Sequence, residues 1–152
     1  MKKDELKKDE LKPDGDFWNI TPLGKAIGMS LVGTGDRVCS LKVTYSDQLV
    51  GDPDTGIIHG GVITALLDNS SGIAVRCHPE WTDGQSMATL DLRIDYMRPA
   101  TPHEDLIGST ECYKITKNIA FVRGTAHQGD PNDPIATSVA SFMLGTPNEP
   151  RP

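Results

Sequence analysis

Apolar and polar positions alternate along residues 37–45, where Cys39, Leu41, Val43 and Tyr45 take every second place. That period predicts a half-buried strand. The segment Gly51-Asp52-Pro53-Asp54-Thr55-Gly56 reads as loop by its composition. From Val62 to about Arg76 the pattern changes. Val62, Ile63, Ala65, Leu66, Leu67, Ile73, Ala74 and Val75 fall on nearly every side of a helix, which marks a helix covered by a sheet or a partner. Beyond it Leu90, Leu92, Ile94 and Tyr96 alternate with Thr89, Asp91, Arg93 and Asp95. Three further strand-like runs occupy residues 105–115, 118–128 and 134–144, separated by short polar breaks that favour antiparallel neighbours. Upstream, residues 22–28 predict a short helix with Thr21 as N-cap and Pro22 at the first helical position. The order is strand, one long helix, four strands: an α+β architecture with a helix on one face of an antiparallel sheet.

A chain of 152 residues with 37% hydrophobic side chains supports one domain with one core, filled mainly by aliphatics because aromatics are only 5%. The net charge of −6 excludes a nucleic-acid surface as the main function, since phosphate binding needs clustered Lys and Arg. Three widely spaced cysteines (Cys39, Cys77, Cys112) match neither a disulfide framework nor zinc spacing, so no metal is expected. No apolar run is long enough to span a membrane and the first residues are charged, so the expected location is cytoplasmic. Residues 1–16 form a charged tail with Lys-Lys-Asp-Glu-Leu twice over, residues 17–145 the domain, and residues 146–152 a proline-rich tail.

Candidate chemistry gathers around the long helix. Thr64, Asp68 and Ser71 recur at i, i+4 and i+7, forming one polar stripe on an apolar helix. A carboxylate there is costly to desolvate without partners. It is either a structural hydrogen-bonding residue or a group with chemical work to do. Gly60 and Gly61 precede the helix and permit close backbone approach to a ligand. Unbonded N–H groups and the helix dipole at that end favour a developing negative charge. The tetrahedral intermediate of acyl transfer carries such a charge.

His59-Gly60-Gly61 with Asp68 nine residues after the histidine resembles the PaaI-type branch of the hotdog thioesterases, within the 4-hydroxybenzoyl-CoA thioesterase superfamily. The stretch from Ala88 to Ala100 (ATLDLRIDYMRPA) resembles that branch's first strand after the helix, and the likeness runs from about Pro22 to Gly145. The resemblance implies a hotdog fold, acyl-CoA as substrate, no cofactor, and homodimers that usually pair into homotetramers. It implies an active site at the dimer interface, where the Gly60 N–H polarises the thioester carbonyl, His59 helps form that site, and Gly61 lies against the substrate. Asp68 of the other subunit would be nucleophile or general base. Thr89 matches a Ser/Thr position that orients the attacking group. Many relatives carry an asparagine in the preceding loop; here Asp52 is the matching candidate. Arg98, Lys114, Lys117 and Arg123 are candidates for the CoA phosphates. The alternative is a non-catalytic acyl-CoA-binding protein of the same fold. A hotdog hydratase and a purely structural oligomer rank behind it.

Overall fold

The computed structural model describes residues 20–147. The charged repeat and the domain's start at residue 17 lie outside them, as do residues 148–152 of the C-terminal tail. The short helix forms as α1 (Pro22–Ala26), with the Thr21 hydroxyl accepting from the Gly24 N–H at its start. Strands β1 (Met29–Gly35) and β2 (Val38–Val43) follow. A hairpin of β3 (Val50–Asp52) and β4 (Ile57–Ile58) leads into α2 (Gly60–Arg76), the long helix. The chain ends with β5 (Met87–Tyr96), β6 (Leu106–Ile115), β7 (Ile119–His127) and β8 (Ala136–Leu144).

Six strands form one antiparallel sheet in the order β1-β2-β6-β7-β8-β5. Two features depart from the sequence reading. Strand β1 was not expected, because its burial does not alternate and its register slips between Leu31 and Gly33. The segment read as loop holds the small β3–β4 hairpin, too short for a periodic signal.

Helix α2 lies across β2, β6 and β7 and buries Ile63, Leu66, Leu67, Ala74 and Val75. Opposite it, Leu41, Val43, Leu106 and Val122 are fully enclosed. Burying each large aliphatic side chain contributes roughly 1.5–3 kcal/mol. The helix approaches so closely that a Cβ on Gly108 would stand 2.8 Å from Leu66 Cγ. Glycine is therefore a packing requirement near the start of β6. This helix wrapped by a sheet is the hotdog fold.

Strand β5 forms the other sheet edge and bulges between Thr89 and Asp91. The extra residue leaves Leu90 at 51% exposure, although its alternation suggested a buried face. Tyr96 at the strand's end is 53% exposed. Leu92 and Ile94 do pack against the core.

Cys39, Cys77 and Cys112 are all free thiols. Desolvation raises all three, with Cys77 and Cys112 each pushed up to about 11. No described helix is long and apolar enough to cross a membrane.

Candidate active site

Two prepared groups stand on α2. The first is Asp68, two turns into the helix and half-buried. The Thr89 hydroxyl on β5 donates to Asp68 Oδ1 at 3.0 Å. The β5 bulge begins at Thr89, so the irregularity falls where a side chain must be aimed at the helix. Asp68 and Thr89 open onto a cleft of about 250 Å³ lined by Ile20, Ile73, Met87 and Phe142, with Asn69 and Arg76 also on its wall. Gly72 contributes to its floor: a Cβ there would meet Met87 Cε at 3.2 Å.

The second group is the start of α2. His59 is its N-cap, and the Gly61 N–H donates to His59 Nδ1 at 2.8 Å. An accepting Nδ1 carries no proton, which leaves Nε2 as the ring's N–H. His59 is anchored through its own N–H, which donates to the Leu49 carbonyl at 2.8 Å. Gly51 on β3 makes room for it, because a Cβ there would lie 2.9 Å from His59 Cα. Among the described residues the Gly60 N–H has no acceptor. An unpaired N–H at the positive end of a 17-residue helix suits an oxyanion. His59 and Gly61 also line a second cleft of about 350 Å³, beside Leu49, Val50 and Val62.

The polar stripe is therefore three different environments. Thr64 donates to the Gly60 carbonyl at 3.3 Å and lies 2.8 Å from the Tyr96 hydroxyl. Asp68 pairs with Thr89, whereas Ser71 is fully buried and its hydroxyl has no partner among the described residues. Asp52 is not beside Asp68 within the chain. Its Oδ1 accepts from the Asp54 N–H at 3.0 Å and its Oδ2 from the Thr55 hydroxyl at 2.9 Å, which caps the β3–β4 turn. Of the candidate phosphate-binding cations, Arg98 is engaged by Asp133 and Arg123 by Glu111. Lys114 and Lys117 are exposed.

Asp54 and His59 also stand at the Asp-x-x-x-x-His spacing associated with hotdog hydratases. Asp54 is exposed in the turn, however, and the His59 Nδ1 is occupied by the helix it caps. The contact that sequence reasoning missed is Tyr96. Its hydroxyl donates to the Gly60 carbonyl at 2.9 Å from 36 residues away.

A wrapped helix carrying a hydroxyl-held carboxylate and a glycine-rich start with one N–H unbonded among the described residues defines a hotdog protein equipped for acyl transfer. Residues 55–135, more than half of the chain, match the sequence model of the Thioesterase superfamily, and the chain belongs to that superfamily. It is a thioester hydrolase. The medium/long-chain acyl-CoA thioesterase YigI of Escherichia coli is 27% identical over 135 residues, covering 82% of this chain and 86% of its own length. Human acyl-coenzyme A thioesterase 13 is 32% identical over 99 residues, covering 65% of each chain. Among solved structures, a Pseudomonas aeruginosa protein is 42% identical with a TM-score of 0.71, covering 80% of this chain and 88% of that one. An Asn-to-Asp variant of the phenylacetic acid degradation protein PaaI from Thermus thermophilus is 18% identical, with a TM-score of 0.69 and coverage of 81% and 98%. That last likeness concerns the fold alone.

Proposed function

We propose that the chain hydrolyses acyl-CoA thioesters at a site shared by two copies, with Asp68 driving the attack and the Gly60 N–H receiving the oxyanion. One observation carries this reading. Helix α2 holds a carboxylate fixed by Thr89 at 3.0 Å, and eight residues earlier an N–H left unbonded while His59 takes its neighbour. Acyl-CoA as the substrate class is supported by the names of the curated relatives. The apolar wall of the cleft beside Asp68, formed by Ile20, Ile73, Met87 and Phe142, suits an acyl tail, aliphatic or aryl.

The need for two copies follows from distance. Eight residues of α-helix span roughly 12 Å, whereas each group must come within about 3 Å of the reacting carbonyl. One chain cannot bring both to one thioester. A second copy running the other way can place its Asp68 opposite this chain's Gly60. Its docking surface is open, because β5 is a sheet edge with Leu90, Tyr96 and Met97 exposed. The assembly is thus a homodimer at least, with a homotetramer as the family pattern.

At such a site Thr89 keeps one carboxylate oxygen of Asp68 occupied and the other turned to the substrate. Asp68 takes a proton from water as the water oxygen bonds the thioester carbon. The carbonyl pair moves onto oxygen, which accepts a hydrogen bond from the Gly60 N–H. Collapse re-forms the carbonyl and breaks the C–S bond, and the proton on Asp68 passes to the CoA sulfur. In the nucleophilic variant, an Asp68 oxygen adds to the carbon directly, and the tetrahedral adduct expels CoA as its thiolate to leave a mixed anhydride. Water cleaves that anhydride to the free acid and the Asp68 carboxylate, the released proton going to the CoA sulfur.

The test is a panel of aryl-, short-chain and medium-chain acyl-CoAs, with free CoA read by a thiol reagent. At least one should be turned over, and Asp68→Asn should slow turnover at least ~100-fold, the lower end for a general base. Binding without turnover across the panel would establish the non-catalytic alternative. Hydration of an enoyl-CoA without CoA release would establish the hydratase.

A further inference from the structure

The two glycines that open the site also give it a problem. Gly60 and Gly61 can rotate over a wide range of backbone angles, yet an oxyanion donor works only when aimed. The structure shows how the rotation is stopped. The peptide unit joining Gly60 to Gly61 is held at both ends. Its N–H donates to His59 Nδ1 at 2.8 Å, and its carbonyl accepts from the Tyr96 hydroxyl at 2.9 Å and from Thr64 Oγ1 at 3.3 Å. Tyr96 and Thr64 also meet each other at 2.8 Å; with one proton on each hydroxyl, Thr64 donates either to the Tyr96 oxygen or to the carbonyl, and in both cases stays against the Tyr96 hydroxyl. The Tyr96 ring lies flat enough against Gly60 that a Cβ there would stand 3.5 Å from Cε1, ordinary contact. The preceding peptide unit, which carries the Gly60 N–H, is fixed on its own carbonyl side by the Val62 N–H at 3.0 Å.

We infer that Tyr96, braced by Thr64, is a positioning residue for the oxyanion donor, locking the Gly60–Gly61 peptide so that the Gly60 N–H points at the thioester carbonyl. The inference rests on the assignment of Gly60 as that donor. Tyr96 is half exposed, so its hydroxyl is not needed to satisfy a buried core. Its hydroxyl's two polar contacts, to the Gly60 carbonyl and to Thr64 Oγ1, both fall within the first five residues of α2. The residue comes from the end of β5, so the strand that aims Asp68 through Thr89 also aims the oxyanion turn. Losing one oxyanion donor costs ~100- to 1,000-fold in turnover. Loosening one costs less.

The experiment compares wild type, Tyr96→Phe, Thr64→Val and Asp68→Asn, each shown to be folded and assembled as wild type. Turnover and KM are measured on one good acyl-CoA, and affinity is measured for its thioether analogue, which has no carbonyl to polarise. Tyr96→Phe keeps the ring and removes only the hydroxyl, and should lower kcat roughly 10-fold or more, with KM and analogue affinity within about 3-fold. Thr64→Val should lower kcat by a smaller factor in the same manner, and it decides the question if Tyr96→Phe does not assemble. Unchanged kcat in the folded variants overturns the inference. An equal loss in analogue affinity also overturns it, by making Tyr96 a ground-state substrate contact. Full activity in Asp68→Asn would instead bring down the underlying site assignment, whatever Tyr96→Phe does.

Discussion

Burial of His127 ties stability to pH from the acidic side. Its Nδ1 accepts from the Gly129 N–H at 3.2 Å, and its Nε2 lies 3.1 Å from the Ser109 hydroxyl, which in turn meets Ser40 at 3.0 Å. Protonation would destroy the first of these bonds. Desolvation lowers the His127 pKa below its ordinary 6.5, with Asp130 opposing more weakly. The unfolded chain therefore binds a proton at a higher pH than the folded one. Its contribution is fully present above about pH 6.5 and is lost as pH falls from there through the folded value. Thermal melting from pH 8 to pH 5 should show a falling Tm below about 6.5, and His127→Gln should flatten that slope while lowering stability at neutral pH. Parallel curves for the two proteins would remove His127 from the account. The same bonding separates this Ser–His contact from a nucleophilic pair: a ring whose Nδ1 accepts carries its proton on Nε2, facing the serine, and is no base toward it.

At the scale of elements, the helix and the four strands after it were legible because their periods are long and regular. Their ends fall within a few residues of the pattern. Strand β1 was not legible, because a register slip and three small residues (Gly33, Thr34, Gly35) erase the alternation. In the site, His59, Gly60, Asp68 and Thr89 could be named from spacing and resemblance. Tyr96 could not, since its partner lies across a tertiary contact that depends on where β5 ends. Asp52, marked for the site by the position of an asparagine in relatives, has its carboxylate engaged by the Asp54 N–H and the Thr55 hydroxyl of its own turn. The Leu90 alternation misled for a third reason, because a bulge reverses the side of every residue before it. One close packing contact lies between the two halves of the site on α2, at Leu66. Gly108→Val would force the side chain into Leu66 and lift α2 from β6, since the added Cβ alone would stand 2.8 Å from Leu66 Cγ. Overpacking of this kind typically costs 1–3 kcal/mol, so Tm should fall and turnover should fall with it. A variant with normal Tm and activity would show that the helix can slide without consequence.

At the scale of the whole molecule, Gly60 begins one rigid helix and Asp68 stands near its middle, eight residues further on. Under the shared-site reading, every catalytic centre draws one of these two groups from each copy. Genetic language then applies to a small enzyme. Asp68→Asn destroys one half and Gly60→Pro the other, so each homodimer is dead. Mixed by co-expression, half of the dimers are hybrids, and each hybrid unites the intact Asp68 of one chain with the intact Gly60 of the other at one of its two centres. Activity should return to about a quarter of wild type, as random pairing of two-fold assemblies requires. Two inactive lesions in a single reading frame would thus complement one another, while the double variant stays silent. No recovery from co-purified hybrids would mean that each chain works alone.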